Sequence, residues 1–238
     1  MVLSLGMAWA TTFAISVSAI LCVVELGKKG VINRLLARKI MHIGTGPAYL
    51  LCWYLFPESP WSPFVASSTI LILVLFFVAV GMGLISSQPL VAVVSRSGKK
   101  SELLTGPVLY GIVHIAAPLM YWFRSPTGFV ALMVLCVGDG VADVVGRKYG
   151  GKNPLPWNKS KSLAGSGAFW VGGYLGTLAI GEVFFQSGHL ASAFREDFEL
   201  KSAFMVTVAA LVESLPLGGI DNITIFMACV ACGKICSW

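Results

Sequence analysis

Charge is what this sequence has least of. Only 12% of its 238 residues are Asp, Glu, Lys or Arg, and it holds three histidines. About a quarter of an ordinary soluble domain is charged, so that class is excluded. No hydrophilic stretch is long enough to fold separately, and no internal repeat or low-complexity tract is present, which excludes solenoids and disordered linkers. Cys229 and Cys232 form a CxxC, but it has no second pair and no nearby His, so the spacing carries no zinc or redox signature. Together with Cys22, Cys52, Cys136 and Cys236 they lie mostly in apolar runs and read as small buried hydrophobes. The first apolar run lacks a basic leader and continues too far for a cleavable signal peptide, and no organellar transit peptide is recognisable ahead of it.

Hydrophobic residues make up 56% of the chain and the mean hydropathy is +0.81. Such a chain belongs in a bilayer. Apolar runs at Leu5–Leu26, Ile43–Phe56, Phe64–Ser86, Leu103–Phe123, Thr127–Val145, Leu163–Phe185 and Ala203–Pro216 predict helical spans, with Ile223–Trp238 as a short eighth. The expectation is an all-α, polytopic integral membrane protein of seven or eight transmembrane helices, forming a single transmembrane domain over residues 1–238. A net charge of +6 would suggest nucleic acid in a soluble protein, but here the basic residues sit in short loops and no nucleic-acid partner is expected. No protein partner is inferable. Loops after the first, third and fifth spans hold most Lys and Arg, so the positive-inside rule puts them on the cytoplasm-like side.

The chemistry is concentrated in one stretch. Gly138-Asp139-Gly140-Val141-Ala142-Asp143 is followed by Gly146, Gly150 and Gly151, and then by Lys159-Ser160-Lys161-Ser162-Leu163-Ala164-Gly165-Ser166. Asp139 and Asp143 lie four residues apart and share a helical face, so both can reach one divalent cation, which prefers hard oxygen ligands. Carboxylates in a membrane span are costly unless paired or metal-bound. Lys161 and Ser162, with Lys159 and the backbone around Gly138, Gly140, Gly146, Gly165 and Ser166, offer donors suited to phosphate oxygens. Carboxylates for Mg²⁺ beside lysines for phosphate point to a nucleotide or pyrophosphate site. The glycines also suit close helix contact, and the sequence leaves both uses open.

Two further polar groups accompany this stretch. Arg38-Lys39-Ile40-Met41-His42 leads into the second span, with Arg38 and His42 on one face. Glu213 stands just before Pro216, and Asp221-Asn222 follow a Gly-Gly turn, a combination open to helix capping or to chemistry. On the alternating topology all three groups reach the basic-loop face. Intramembrane His114 reads either as a ligand or proton relay or as a helix-packing hydrogen-bond partner.

Taken in order, Arg38-Lys39-Ile40-Met41-His42-Ile43, the block from Gly138 to Gly150, Lys161-Ser162-Leu163-Ala164-Gly165-Ser166 and Glu213-Ser214-Leu215-Pro216 with Asp221-Asn222 resemble the phytol and farnesol kinase family, relatives of dolichol kinases and of CTP-using lipid enzymes. The resemblance implies a polytopic kinase that transfers phosphate from CTP, with UTP or ATP as other donors, to the hydroxyl of an isoprenoid alcohol, phytol ahead of geranylgeraniol and farnesol. Plant members act in chloroplast membranes, in phytol salvage for tocopherol synthesis. The expected roles are Mg²⁺ on Asp139 and Asp143 and phosphates on Lys161, Ser162 and the Gly165-Ser166 backbone. Arg38 and Lys39 would add positive charge, Asn222 would contact the nucleotide, and a base would be drawn from His42, Glu213 and Asp221. A cytidylyltransferase or a CTP-dependent diacylglycerol kinase would use a similar acidic site. A transporter would need polar residues through the full membrane depth, whereas these cluster toward one face.

Overall fold

The computed structural model describes residues 2–238, and among them it is helical, with no strand beyond one antiparallel bridge between Pro154 and Ser162. The helices are α1 (Leu5–Lys28), α2 (Arg34–Trp53), α3 (Ser62–Met82), α4 (Gln88–Val94), α5 (Gly106–Met120), α6 (Thr127–Met133), α7 (Asp139–Tyr149), α8 (Leu163–Gln186), α9 (Phe198–Glu213) and α10 (Asp221–Ile235). The chain groups into two compact units, Met1–Leu119 and Met120–Trp238.

In the first unit, α1 packs on α2, α3 and α4. Its core gathers Val23, Val24, Ala37, Val80, Leu90, Val91, Val93 and Leu103. The Asn33 side chain accepts from the Leu36 amide at 2.9 Å and starts α2 well before the apolar run. The basic segment and the second apolar run are thus one helix, beginning at Arg34 rather than Ile43. The apolar residues of the basic segment recur at helical spacing, so nothing breaks the helix before Trp53 except Pro47, which it absorbs. Gly83, at φ +85°, ends α3 in the left-handed conformation that a side chain resists, so the helix stops at Met82 rather than at the expected Ser86. The short α4 was not foreseen; Pro89 opens it and Leu90, Val91 and Val93 bury one side.

The second unit carries the central block. α6 continues through a π-helical turn, Val134–Gly138, into α7. This run is the most buried part of the chain: Phe129 to Cys136 are almost wholly enclosed. α8 packs along α7 and the π turn, α9 along α8 and α10, and α10 against α6. Among the described residues, five helical stretches are long and apolar enough to cross a bilayer: Leu5–Lys28, Ser62–Met82, Lys100–Met120, Thr127–Lys152 and Leu163–Gln186. The seventh and eighth apolar runs form helices of 16 and 15 residues, shorter than the roughly 20 residues that a bilayer requires. α2 carries Arg34, Arg38 and Lys39 along its first half.

The glycines of α7 and α8 face one another. A Cβ on Gly138 would stand 3.1 Å from the Phe169 carbonyl oxygen, and one on Gly165 would stand 3.3 Å from that of Ala142. One on Gly172 would lie 3.4 Å from the Val137 carbonyl oxygen. Helix contact therefore accounts for Gly138 and Gly165, since the opposing atoms are backbone and cannot move aside. Gly138→Val should lower stability by about 1–3 kcal/mol through overpacking. A thermal midpoint in detergent checks this, and an unchanged midpoint would mean that the two helices are free to separate.

Candidate active site

The second unit brings four of the sequence-expected residues together. Lys161 lies in the loop between α7 and α8 and forms an ion pair with Glu213, the last residue of α9. The Glu213 side chain is 3% exposed and that of Lys161 25% exposed, so the carboxylate depends on this ammonium for its partner. Asp139 and Asp221 also lie within electrostatic reach of Lys161. Burial by itself would lower the Lys161 pKa, but the charge and hydrogen bond of Glu213, helped by Asp139 and Asp221, raise it above the ordinary value of 10.5. Lys161 is therefore a fixed cation at neutral pH and no proton acceptor.

Local structure explains how these side chains meet. Asp139 opens α7 directly after the π turn, an irregularity that re-aims a helix by part of a turn and recurs at functional sites. Ser162 caps α8 by accepting from the Gly165 amide at 3.1 Å, which places Lys161 at the positive end of that 24-residue helix. The Ser162 oxygen is thus used structurally. One turn on, the Ser166 hydroxyl is buried without a hydrogen-bond partner. Gly218 and Gly219, at φ +67° and +94°, make the turn between α9 and α10 that brings Asp221 to the start of α10, with Asn222 beside it. Asp143 sits one turn after Asp139, where its Oδ1 accepts from Arg147 Nε at 2.9 Å. This pair is partly exposed and contributes about 0–1 kcal/mol, so it does not lock the carboxylate. Gly140 is buried within α7, Gly146 packs near Ser162 and Gly165, and Lys159 is exposed on the loop.

Sequence reasoning missed the residues that hold the loop. Asn158 Nδ2 donates to the Ser214 carbonyl at 3.1 Å and Trp157 Nε1 to the Ser214 hydroxyl at 3.2 Å. A buried Asn in a loop leaves no periodic signal, and its partner is 56 residues away.

Arg38, Lys39 and His42 belong to the first unit, all on α2, with Lys39 buried. Pro47 has no amide hydrogen to give to the helix backbone, and two carbonyls of the turn before it take side-chain hydrogen bonds. Tyr110 of α5 donates to the His42 carbonyl at 2.7 Å, and its oxygen lies 2.9 Å from Thr45 Oγ1, which also bonds the Met41 carbonyl at 2.6 Å. The Tyr110 ring lies 4.7 Å from that of His42 and 4.3 Å from that of His114. His114 Nδ1 is 2.8 Å from the Tyr110 carbonyl of its own helix. His114 thus makes helix-packing contacts.

Three carboxylates, Asp139, Glu213 and Asp221, act on one ammonium. They leave an excess of negative charge that a divalent cation would offset. Among the described residues, no three His, Cys, Asp or Glu side chains form a complete metal site. A cation here would have at most two protein carboxylates and would need its remaining ligands from phosphate oxygens and water.

Fold and site together define an all-helical integral membrane protein with a buried lysine–carboxylate centre at helix ends. The chain is 36% identical over 211 residues to a probable chloroplastic phytol kinase 1 of Glycine max, an alignment covering 87% of this chain and 68% of the relative. It is 34% identical to the chloroplastic farnesol kinase of Arabidopsis thaliana, covering 88% and 68%. To phytol kinase 1 of the same plant it is 32% identical, covering 87% and 68%. The chain belongs to the phytol and farnesol kinase family. It is an alcohol kinase and, with its spanning helices and chloroplastic relatives, an integral chloroplast membrane protein. No family model and no solved structure matches it.

Proposed function

We propose that this kinase transfers the γ-phosphoryl group of CTP, with Mg²⁺, to the hydroxyl of a membrane-dissolved isoprenoid alcohol, phytol first. The observation that carries the reading is the Lys161–Glu213 pair with Asp139 and Asp221 around it, a fixed cation amid carboxylates at the start of α8. In the reaction the alcohol oxygen forms a bond to the γ-phosphorus and the bond to the bridging β–γ oxygen breaks. CDP leaves, and the hydroxyl proton passes to a base or to water.

Such a transfer is dominated by positioning and charge neutralisation, and it needs no covalent enzyme intermediate. Lys161 binds phosphate oxygens, and Glu213 holds its ammonium ionised and in place beforehand. The Ser166 hydroxyl, buried without a partner, is a second donor for phosphate, and the α8 amino end adds its partial positive charge. Asp139 and Asp143 would hold Mg²⁺, which supplies charge neutralisation on the phosphates. The family resemblance adds Arg38 and Lys39 as candidates for further positive charge, and His42, Glu213 and Asp221 as candidates for the base. A prenyl tail stays in hydrocarbon, where each buried CH₂ contributes about 0.8 kcal/mol. The site would face the basic-loop side of the membrane.

The full-length protein, purified and incubated with Mg²⁺, CTP, UTP or ATP and a panel of phytol, geranylgeraniol, farnesol, diacylglycerol and phosphatidate, should yield prenyl monophosphates and CDP, identified by mass. Phosphorylation of diacylglycerol alone, or a CDP-lipid with pyrophosphate, would replace the prenol reading.

A further inference from the structure

The ion pair at the centre of the site joins two segments far apart in sequence, and a single buried side chain ties the backbones on either side of it. Asn158 lies three residues before Lys161, and its Nδ2 donates to the carbonyl of Ser214, the residue after Glu213, at 3.1 Å. Its Oδ1 accepts from the Ser160 amide at 3.2 Å and the Ser160 hydroxyl at 2.7 Å. Its own carbonyl accepts from the Lys161 amide at 3.0 Å, and the Leu155 amide donates back to the Lys161 carbonyl at 2.9 Å. Asn158 is 9% exposed and Leu155 1%, so the loop is anchored from beneath. Both functions of the amide are in use, one toward the loop and one toward α9.

We infer that Asn158 is a positioning residue that sets Lys161 against Glu213 by clamping the loop to the end of α9. It touches no reacting atom; it acts through Lys161, and its effect on turnover rests on the phosphate role given to Lys161 above. The chemistry requires an amide at this position. Aspartate keeps the acceptor for Ser160 but loses the donor to Ser214 and turns a carboxylate oxygen toward a carbonyl oxygen. A residue that only shaped the local turn would accept that exchange, because aspartate forms the same turn. A residue that clamps the loop to α9 would not.

The test reads Lys161 directly. Full-length protein in detergent is treated with an amine-acylating reagent, and the labelling rate of each lysine is followed by mass spectrometry. In the unaltered chain Lys161 should label slowly, shielded and held protonated, while exposed Lys159 labels quickly. Asn158→Asp and Asn158→Ala should each speed Lys161 labelling about fivefold to tenfold, the factor that one buried hydrogen bond carries, and leave Lys159 unchanged. They should also raise the nucleotide KM more than that of the alcohol. Unchanged or slower Lys161 labelling in Asn158→Asp overturns the inference, as does a uniform rise at all lysines in a folded protein. If Asn158→Ala does not fold, the nearly isosteric Asp variant decides alone. A fully active Lys161→Met protein would remove the phosphate role of Lys161, while the labelling would still decide whether Asn158 positions it.

Discussion

Asp139→Asn should reduce kcat by roughly 100- to 1,000-fold, or about 3–4 kcal/mol of transition-state stabilisation, while the protein stays folded. Asparagine keeps the size of the side chain but removes the charge that a cation on the phosphates would bind. The loss should appear in kcat and kcat/KM together, because charge develops on the transferring group in the transition state and little of it is present before. The substitution lies at the first turn of α7 and exchanges one side chain for another of the same shape, so the backbone hydrogen bonds of the helix are kept. Steady-state kinetics beside a thermal midpoint in detergent make the check. Near-normal kcat would remove Asp139 from the cation site. A protein that no longer folds would assign it a structural part instead.

Lys161→Met should be the more damaging of the two ways of breaking the central pair. Removing the ammonium leaves the Glu213 carboxylate, whose side chain is 3% exposed, with neither water nor a cation. Breaking a buried pair in this way costs about 3–5 kcal/mol. Glu213→Gln strands a lysine that is 25% exposed and able to turn toward water, so its cost should be smaller. The pH dependence follows from the direction of the Lys161 shift. A lysine raised above 10.5 in the folded chain contributes its full share at every pH below the unfolded value, and the share is lost only as pH climbs through the higher folded one. The Lys161 share of the stability gap between the unaltered protein and Lys161→Met should therefore hold as pH rises from about 6 to about 9, and the gap should narrow toward acid, where the Glu213 carboxylate, raised by burial and no longer lowered by the ammonium, takes up a proton. Denaturation midpoints across that range test it. A gap that narrows as pH rises from neutral toward 9 would mean that Lys161 is not held as a cation by its carboxylates.

Both predictions concern side chains that the sequence singled out for their chemistry, while the arrangement they depend on was only partly visible there. Asp139 and Asp143 could be placed on one helical face because four residues make about one turn, and α7 keeps that relation. That Lys161 meets Glu213, and that Asp221 joins them, depends on α9 and α10 folding back beside α8. No spacing along the chain encodes that return. The glycines illustrate the same limit: their sequence leaves helix contact and ligand approach equally open, and only the distance from Gly138 to the Phe169 carbonyl shows that packing uses this one.

By itself, then, the sequence determined what is local or summed over many residues. Membrane residence follows from hydropathy, the helices from apolar runs and their caps, the candidate cation ligands from a four-residue spacing, and the family from identity over most of the chain. The tertiary structure alone decided the pairing of Lys161 with Glu213 and the clamp through Asn158. The physical reason is the same in each case. A helix is dictated by interactions within four residues, whereas a buried glutamate and a buried asparagine are tolerated only where another segment, more than fifty residues distant, supplies the missing charge or carbonyl.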